Sequence, residues 1–165
     1  MPERQEIVIN TSPIIALTAA LGDLRVLQIY RRVWVPQEVA QELAAGGGAK
    51  FALTEYETSP WLLKYDQPLN VAAILSNTLD IGEAAVIQLA LDQDIQTVAI
   101  DEAAGRRVAR LNGLAVTGSI GILLRARNEG FQFSMREAID RMTARGIWLS
   151  ERVISFALEQ AGETI

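Results

Sequence analysis

Asn10, Glu42, Glu83 and Asp101 are the residues whose types and spacing could do chemistry. Each follows, or lies just beyond, a run that reads as a buried strand, and in a parallel sheet such positions converge on one edge. Three carboxylates brought together without a cation would repel one another. The set therefore points to a hard divalent ion, Mg2+ or Mn2+, held by oxygen. The amide at position 10 can ligate such an ion through its oxygen but brings no charge, which lowers the affinity expected of the site.

Each of the four also has a plainer explanation. Glu83 stands at the end of the apolar face Val86, Ile87 and Ala90, where an unpaired carboxylate is costly. It equally completes a capping box with Asp80 as N-cap. Asp101 directly follows Thr97-Val98-Ala99-Ile100 and also suits the cap of the next helix, with Glu102 placed to pair with Arg106 at i,i+4. Glu42 borders the stripe of Val39 and Leu43 and fits a solvated face, whereas the helix dipole accounts for Glu38. Asn10-Thr11-Ser12-Pro13 reads as a turn plus a helix cap. The metal reading comes from the combination.

Composition narrows the chemistry further. Cysteine and histidine are absent, which removes disulfides, thiol catalysis, Cys/His zinc sites and every His-dependent triad. With 165 residues, 50% of them hydrophobic, the chain is expected to form one domain over 1–165, burying roughly 70% of its unfolded surface. A net charge of −5 confines any nucleic-acid contact to a local basic patch. The N-terminal Met1-Pro2-Glu3-Arg4-Gln5-Glu6 lacks the apolar stretch of a signal peptide, and no segment is long and apolar enough to span a bilayer. A cytoplasmic protein without membrane partners is the expectation.

The elements that must position these residues alternate between short β-rich runs and longer helical patterns, an α/β chain with a parallel sheet. Strands are expected at 7–9, 33–35, 61–65, 97–100 and 115–117. Helices are expected after the Ser12 cap with Pro13 in its first turn, from Gly22-Asp23 through Tyr30, and from Pro36 to the glycine triplet 46–48. Further helices are expected at 70–77, 81–91, 102–111 and after a Ser119 cap. A C-terminal helical hairpin over 134–145 and 150–161 turns at Gly146. Residues 46–59 read as the loosest stretch.

Thirteen arginines supply nearly all the positive charge, against two lysines, a choice suited to bidentate phosphate contacts. Arg106, Arg107 and Arg110 share a helix face and serve equally as a solvated surface. Thr117-Gly118-Ser119 is the better phosphate candidate, with hydroxyls and free amides at a helix start beside the Asp101 strand. The glycine triplet is no P-loop, because Lys50 lacks both the spacing and a following Ser or Thr.

Read in order, these segments resemble the PIN-domain superfamily, most closely a branch related to VapC-type toxin ribonucleases. The matching stretches are Val8-Ile9-Asn10-Thr11-Ser12-Pro13-Ile14-Ile15-Ala16-Leu17, Val35-Pro36 through Glu42-Leu43, and Leu79-Asp80-Ile81-Gly82-Glu83-Ala84-Ala85. They continue with Ile100-Asp101-Glu102 through Arg106-Arg107-Val108-Ala109 and Val116-Thr117-Gly118-Ser119. The resemblance implies a three-layer fold with a parallel sheet between helices. Asn10, Glu42, Glu83 and Asp101 then take the four acidic places, as catalytic residues and metal ligands. Ser12, Thr117, Ser119 and Arg106 become supporting or substrate-contacting groups. Mg2+- or Mn2+-dependent RNA cleavage follows, often in a homodimer with a small antitoxin protein as partner.

Two rivals stay open. Asn10 and the overall acidity suit a catalytically weak or inactive module that binds RNA or a protein. A phospho-accepting receiver domain would also gather acids at strand ends, but it needs a strand-end lysine that Lys50 and Lys64 do not provide. Apolar residues of the last two helices left exposed would suit a dimer or antitoxin interface.

Overall fold

The computed structural model describes residues 4–164. Residues 1–3, on which the reading of the N-terminus partly rests, and Ile165 lie outside the described residues. Five strands form one sheet: β1 (Glu6–Ile9), β2 (Arg32–Pro36), β3 (Leu62–Tyr65), β4 (Thr97–Ala99) and β5 (Ala115–Thr117), in the order β3-β2-β1-β4-β5. Every pairing is parallel, with Val8 opposite Trp34 on one side and Val98 on the other. Ile7, Val8 and Ile9 are fully buried, as a central strand covered on both faces requires.

The chain builds outward from β1 to β3, then crosses back to β4 on the other side of β1. That reversal leaves a crevice at the carboxyl ends of β1 and β4, where α/β sheets place their sites. Asn10 closes the first of these strands, its amide donating to Ala99 O at 3.0 Å. Residues 100–102 leave the second.

The helices are α1 (Thr11–Leu21), α2 (Gln37–Ala45), α3 (Lys50–Glu57), α4 (Ala73–Thr78), α5 (Ile81–Asp92), α6 (Ala103–Leu111), α7 (Ser119–Asn128), α8 (Met135–Ala144) and α9 (Glu151–Gln160). They flank the sheet in a three-layer α/β arrangement. α1 packs on α3, α7 and α8, whereas α5 packs on β1, β2 and β4 and on α2, α4 and α6. α5 is buried nearly throughout, from Gly82 to Ile87 and again at Leu89 and Ala90. The C-terminal hairpin of α8 and α9 closes the fold, α8 against α1 and α9 against α7.

Three local expectations are corrected. The helix expected from Gly22 to Tyr30 is a 3-10 turn, Arg25–Ile29, which buries Val26, Leu27 and Ile29 before β2 begins at Arg32. The stretch 46–59 is not loose: a 3-10 turn at Gly47–Ala49 leads into α3, which buries Ala52 and Tyr56 on one face. Helix α1 begins at Thr11, with Asn10 and not Ser12 in the N-cap position. The cap side chain makes no bond to the helix, which frees three successive polar side chains for other work.

Candidate metal centre

Asn10 is brought to the crevice by β1, Glu42 by the last turns of α2, and Glu83 by the first turn of α5. Asp80 is the N-cap of α5, its Oδ1 accepting from the Glu83 amide at 2.8 Å. The capping box is half formed: the backbone bond is made, and the Glu83 carboxylate turns elsewhere. Gly82 lies beneath the meeting point. A methyl group in place of its hydrogen would stand 2.7 Å from Glu42 Oε2 and 3.2 Å from Asn10 Oδ1, with Asp80 Oδ1 at 3.7 Å. Glycine thus leaves room for Glu42 Oε2 and Asn10 Oδ1, and a side chain there would displace the Glu42 carboxylate.

Hydroxyls of α1 steer the carboxylates. Thr11 Oγ1 donates to Glu42 Oε2 at 2.8 Å, and Ser12 Oγ donates to Glu102 Oε1. Neither hydroxyl caps the helix. Glu102 is the N-cap residue of α6, so it does not pair with Arg106 on a solvent face as expected. Glu83 Oε2 reaches the opposite wall, pressed against Gly105 of α6, where any β-carbon would collide with it.

The electrostatics follow. Burial, then the Asp80 carboxyl, then the negative charges of Glu102 and Glu42 push the Glu83 carboxyl up to about 8. Asn10 is 3% exposed and Glu83 6%. Asn10 Oδ1 and Glu83 Oε2 are buried without a hydrogen-bond partner, as is Glu38 Oε2 one turn before Glu42. Such orphaned acceptors are costly in a folded interior.

Asp101 has partners of its own. Its Oδ1 accepts from the Ser119 amide at 2.7 Å and lies beside Gly118, where an added methyl would be 2.7 Å away. Asp101 therefore fastens the start of α7 to the end of β4. Gly118, not Ser119, is the N-cap residue. Burial raises the Asp101 carboxyl against the opposing effect of Ser119. Arg106 is turned back toward the sheet edge, its Nη1 donating to Ile100 O at 2.8 Å. Burial, and next the positive charge of Arg110, lower its pKa. Thr117, Gly118 and Ser119 line a groove of about 770 Å³ that also touches Ser12, Asp101, Glu102 and Arg106.

Asn10, Glu42 and Asp80 thus meet over Gly82, Glu83 feels the charges of Asp80, Glu102 and Glu42, and Asp101 is held by Ser119. Among the described residues no three carboxylates are gathered closely enough to hold a metal ion by themselves. The donor chemistry nevertheless fits a hard divalent cation: Asn10 Oδ1 and Glu83 Oε2 are buried oxygens without a hydrogen-bond partner, and Glu42 Oε2 shares the space over Gly82 with Asn10 Oδ1. Glu102 was within reach of sequence reasoning, since two adjacent acids after a strand point to opposite sides. Its partner Ser12 had no such signal.

Comparison with curated proteins yields no match. A family model described as a PIN domain matches residues 6–163, spanning every strand and helix described above. The chain belongs to the PIN-domain family, a nuclease-type fold whose members generally use divalent metals.

Proposed function

We propose that the protein is a Mg2+- or Mn2+-dependent endoribonuclease whose cation-binding residues are Asn10, Glu42, Glu83 and Glu102. The observation that carries this is the pair of buried, unpartnered oxygens, Asn10 Oδ1, which meets Glu42 Oε2 over Gly82, and Glu83 Oε2, which lies against Gly105. When bound, such an ion supplies Lewis-acid polarisation and offsets charge on a phosphodiester. The residues do the rest. Thr11 and Ser12 fix the rotamers of Glu42 and Glu102, so that both carboxylates are oriented before substrate arrives. Arg106 offers guanidinium hydrogens at the groove floor for a phosphate oxygen. Asp101 holds the Gly118 turn in place so that Thr117 and Ser119 line the same groove.

In this reading RNA is the substrate and the chain serves as the toxin of a toxin–antitoxin pair, with a small antitoxin protein and a homodimer as its assemblies. Purified protein with Mn2+ should cleave RNA, and Glu83→Gln should lower the rate by about 100-fold or more, the scale on which a site's charge stabilisation acts. Cleavage undiminished by that change overturns the assignment.

Asn10 favours one alternative. A neutral amide in the place of a carboxylate leaves the centre one charge short, which suits a catalytically weak module that binds RNA or a protein. Asn10→Asp separates the two: unchanged cleavage shows that the amide suffices, whereas activity present only in the variant assigns the native chain to the weak module.

A further inference from the structure

The groove beside the acidic centre has a second wall that the cleavage reading does not use. It is formed by the turn between α8 and α9 and by the outer face of α9. Gly146, at φ 84°, reverses the chain, and Ser150 caps α9 by accepting from the Val153 amide at 3.1 Å. Between them Ile147 and Leu149 pack against the core, which forces the intervening Trp148 outward. Trp148 is 83% exposed and Phe156, one face along α9, is 53% exposed. Neither ring packs on the core, yet both line the same groove as Asp101, Glu102, Arg106 and Ser12. Trp148, Val153 and Phe156 are all exposed on the lining of one groove, and a contiguous apolar patch of that kind marks an interaction site.

Resting on the ribonuclease reading above, we propose that Trp148 and Phe156 form a base-stacking subsite for single-stranded RNA, seating an unpaired base beside the nucleotide whose phosphate meets the acidic centre. The groove is continuous with that centre through Ser12 and Glu102. Its lining combines the apolar and aromatic Trp148, Val153 and Phe156 with the hydroxyl, carboxylates and guanidinium of Ser12, Asp101, Glu102 and Arg106. A nucleotide has the same polarity, with a flat apolar ring at one end and a phosphate at the other. The volume of about 770 Å³ suits a small ligand unit and not a duplex. Stacking on an exposed aromatic demands an unpaired base, so the subsite selects single strands and tolerates every base. A protein segment covering this wall would also have to place a side chain among Asp101 and Glu102, and it is the competing occupant that the test addresses.

The test uses fluorescein-labelled oligoadenylate and the full-length chain carrying Glu83→Gln, with binding read by anisotropy so that cleavage plays no part. Trp148→Ala should weaken binding about tenfold, and Trp148→Phe should restore most of it, as stacking energies predict. An oligonucleotide with a single abasic position should show the same loss at one position only, and that loss should vanish in Trp148→Ala. A duplex of equal length should be insensitive to the substitution. Equal affinity of Trp148→Ala and its parent overturns the proposal while leaving the nuclease reading intact. Trp148-dependent binding by a chain that never cleaves RNA keeps the subsite and removes the nuclease. Loss of self-association in Trp148→Ala, with oligonucleotide affinity unchanged, overturns the proposal in favour of a protein occupant.

Discussion

A carboxyl that keeps its proton to about pH 8 changes what the acidic centre does at neutral pH. Folded, Glu83 is pushed up to about 8; unfolded, it ionises near 4.5. Between those values the folded chain binds more protons than the unfolded one, so the contribution of Glu83 to stability declines as pH rises from about 4.5 to about 8. Urea titrations of metal-free protein should show this decline, and Glu83→Gln should flatten it; an unaltered slope would place the proton elsewhere. The same shift requires that Mn2+ expel a proton when it binds below pH 8. Calorimetry in two buffers of different ionisation enthalpy would register that release, and buffer-independent heats would contradict it.

The elements succeed or fail on close approach. Gly82 and Gly105 are the test, because the same substitution meets different neighbours at each. At Gly105 a methyl collides with Glu83 and lies 2.9 Å from Ile100 Cγ2, which cannot retreat. Gly105→Ala should therefore destabilise the fold by about 1–3 kcal/mol in denaturant titration. At Gly82 the nearest atom is the end of a flexible side chain, Glu42 Oε2. Gly82→Ala should leave stability within about 1 kcal/mol of its parent, helped by alanine's helix propensity, yet weaken cation binding. Glu163 is a third such device. It accepts from the amides of Met135 at 2.6 Å and Arg136 at 3.1 Å and from Ser134 Oγ, tying the C-terminal segment to the start of α8. Burial alone would raise its carboxyl, but these amides, Ser134 and Arg127 outweigh it and hold the group below the usual range. Glu163→Ala should cost about 1–2 kcal/mol, as loss of a helix cap does.

Much of this was legible in the sequence, and the misses share one cause. Strands and the long helices announce themselves by local periodicity, and so did the capping box at Asp80 and the hairpin turn at Gly146. Helix α3 was hidden because its two core contacts, Ala52 and Tyr56, follow a glycine triplet that reads as a break. Which of two adjacent acids faces the centre depends on a partner ninety residues away, Ser12, that no local rule connects to Glu102. Likewise Asp101 reads as a cap for the helix it precedes, when it holds the start of α7 instead.

For the whole molecule, a net charge of −5 with an acidic crevice makes the cation part of the folding balance. Binding only the folded state, Mn2+ at 100 times its dissociation constant should add about 2.7 kcal/mol. In a chain of 165 residues that raises the melting temperature by about 5–10 °C. Oligoarginine or salt at equal ionic strength should not reproduce the rise. No described helix is long and apolar enough to cross a membrane. Of the exposed large apolar residues, Trp148, Val153 and Phe156 line the groove, whereas Ile74 of α4, Ile81 and Leu91 of α5 and Leu111 at the end of α6 lie outside its lining.

The central claim is that the oxygens of Asn10, Glu42 and Glu83 form a shared cation site, and titration calorimetry with Mn2+ at pH 8 tests it most directly. The account predicts a saturable binding event that Asn10→Asp strengthens and Glu83→Gln removes. No binding up to millimolar Mn2+, or binding that survives Glu83→Gln unchanged, would contradict it.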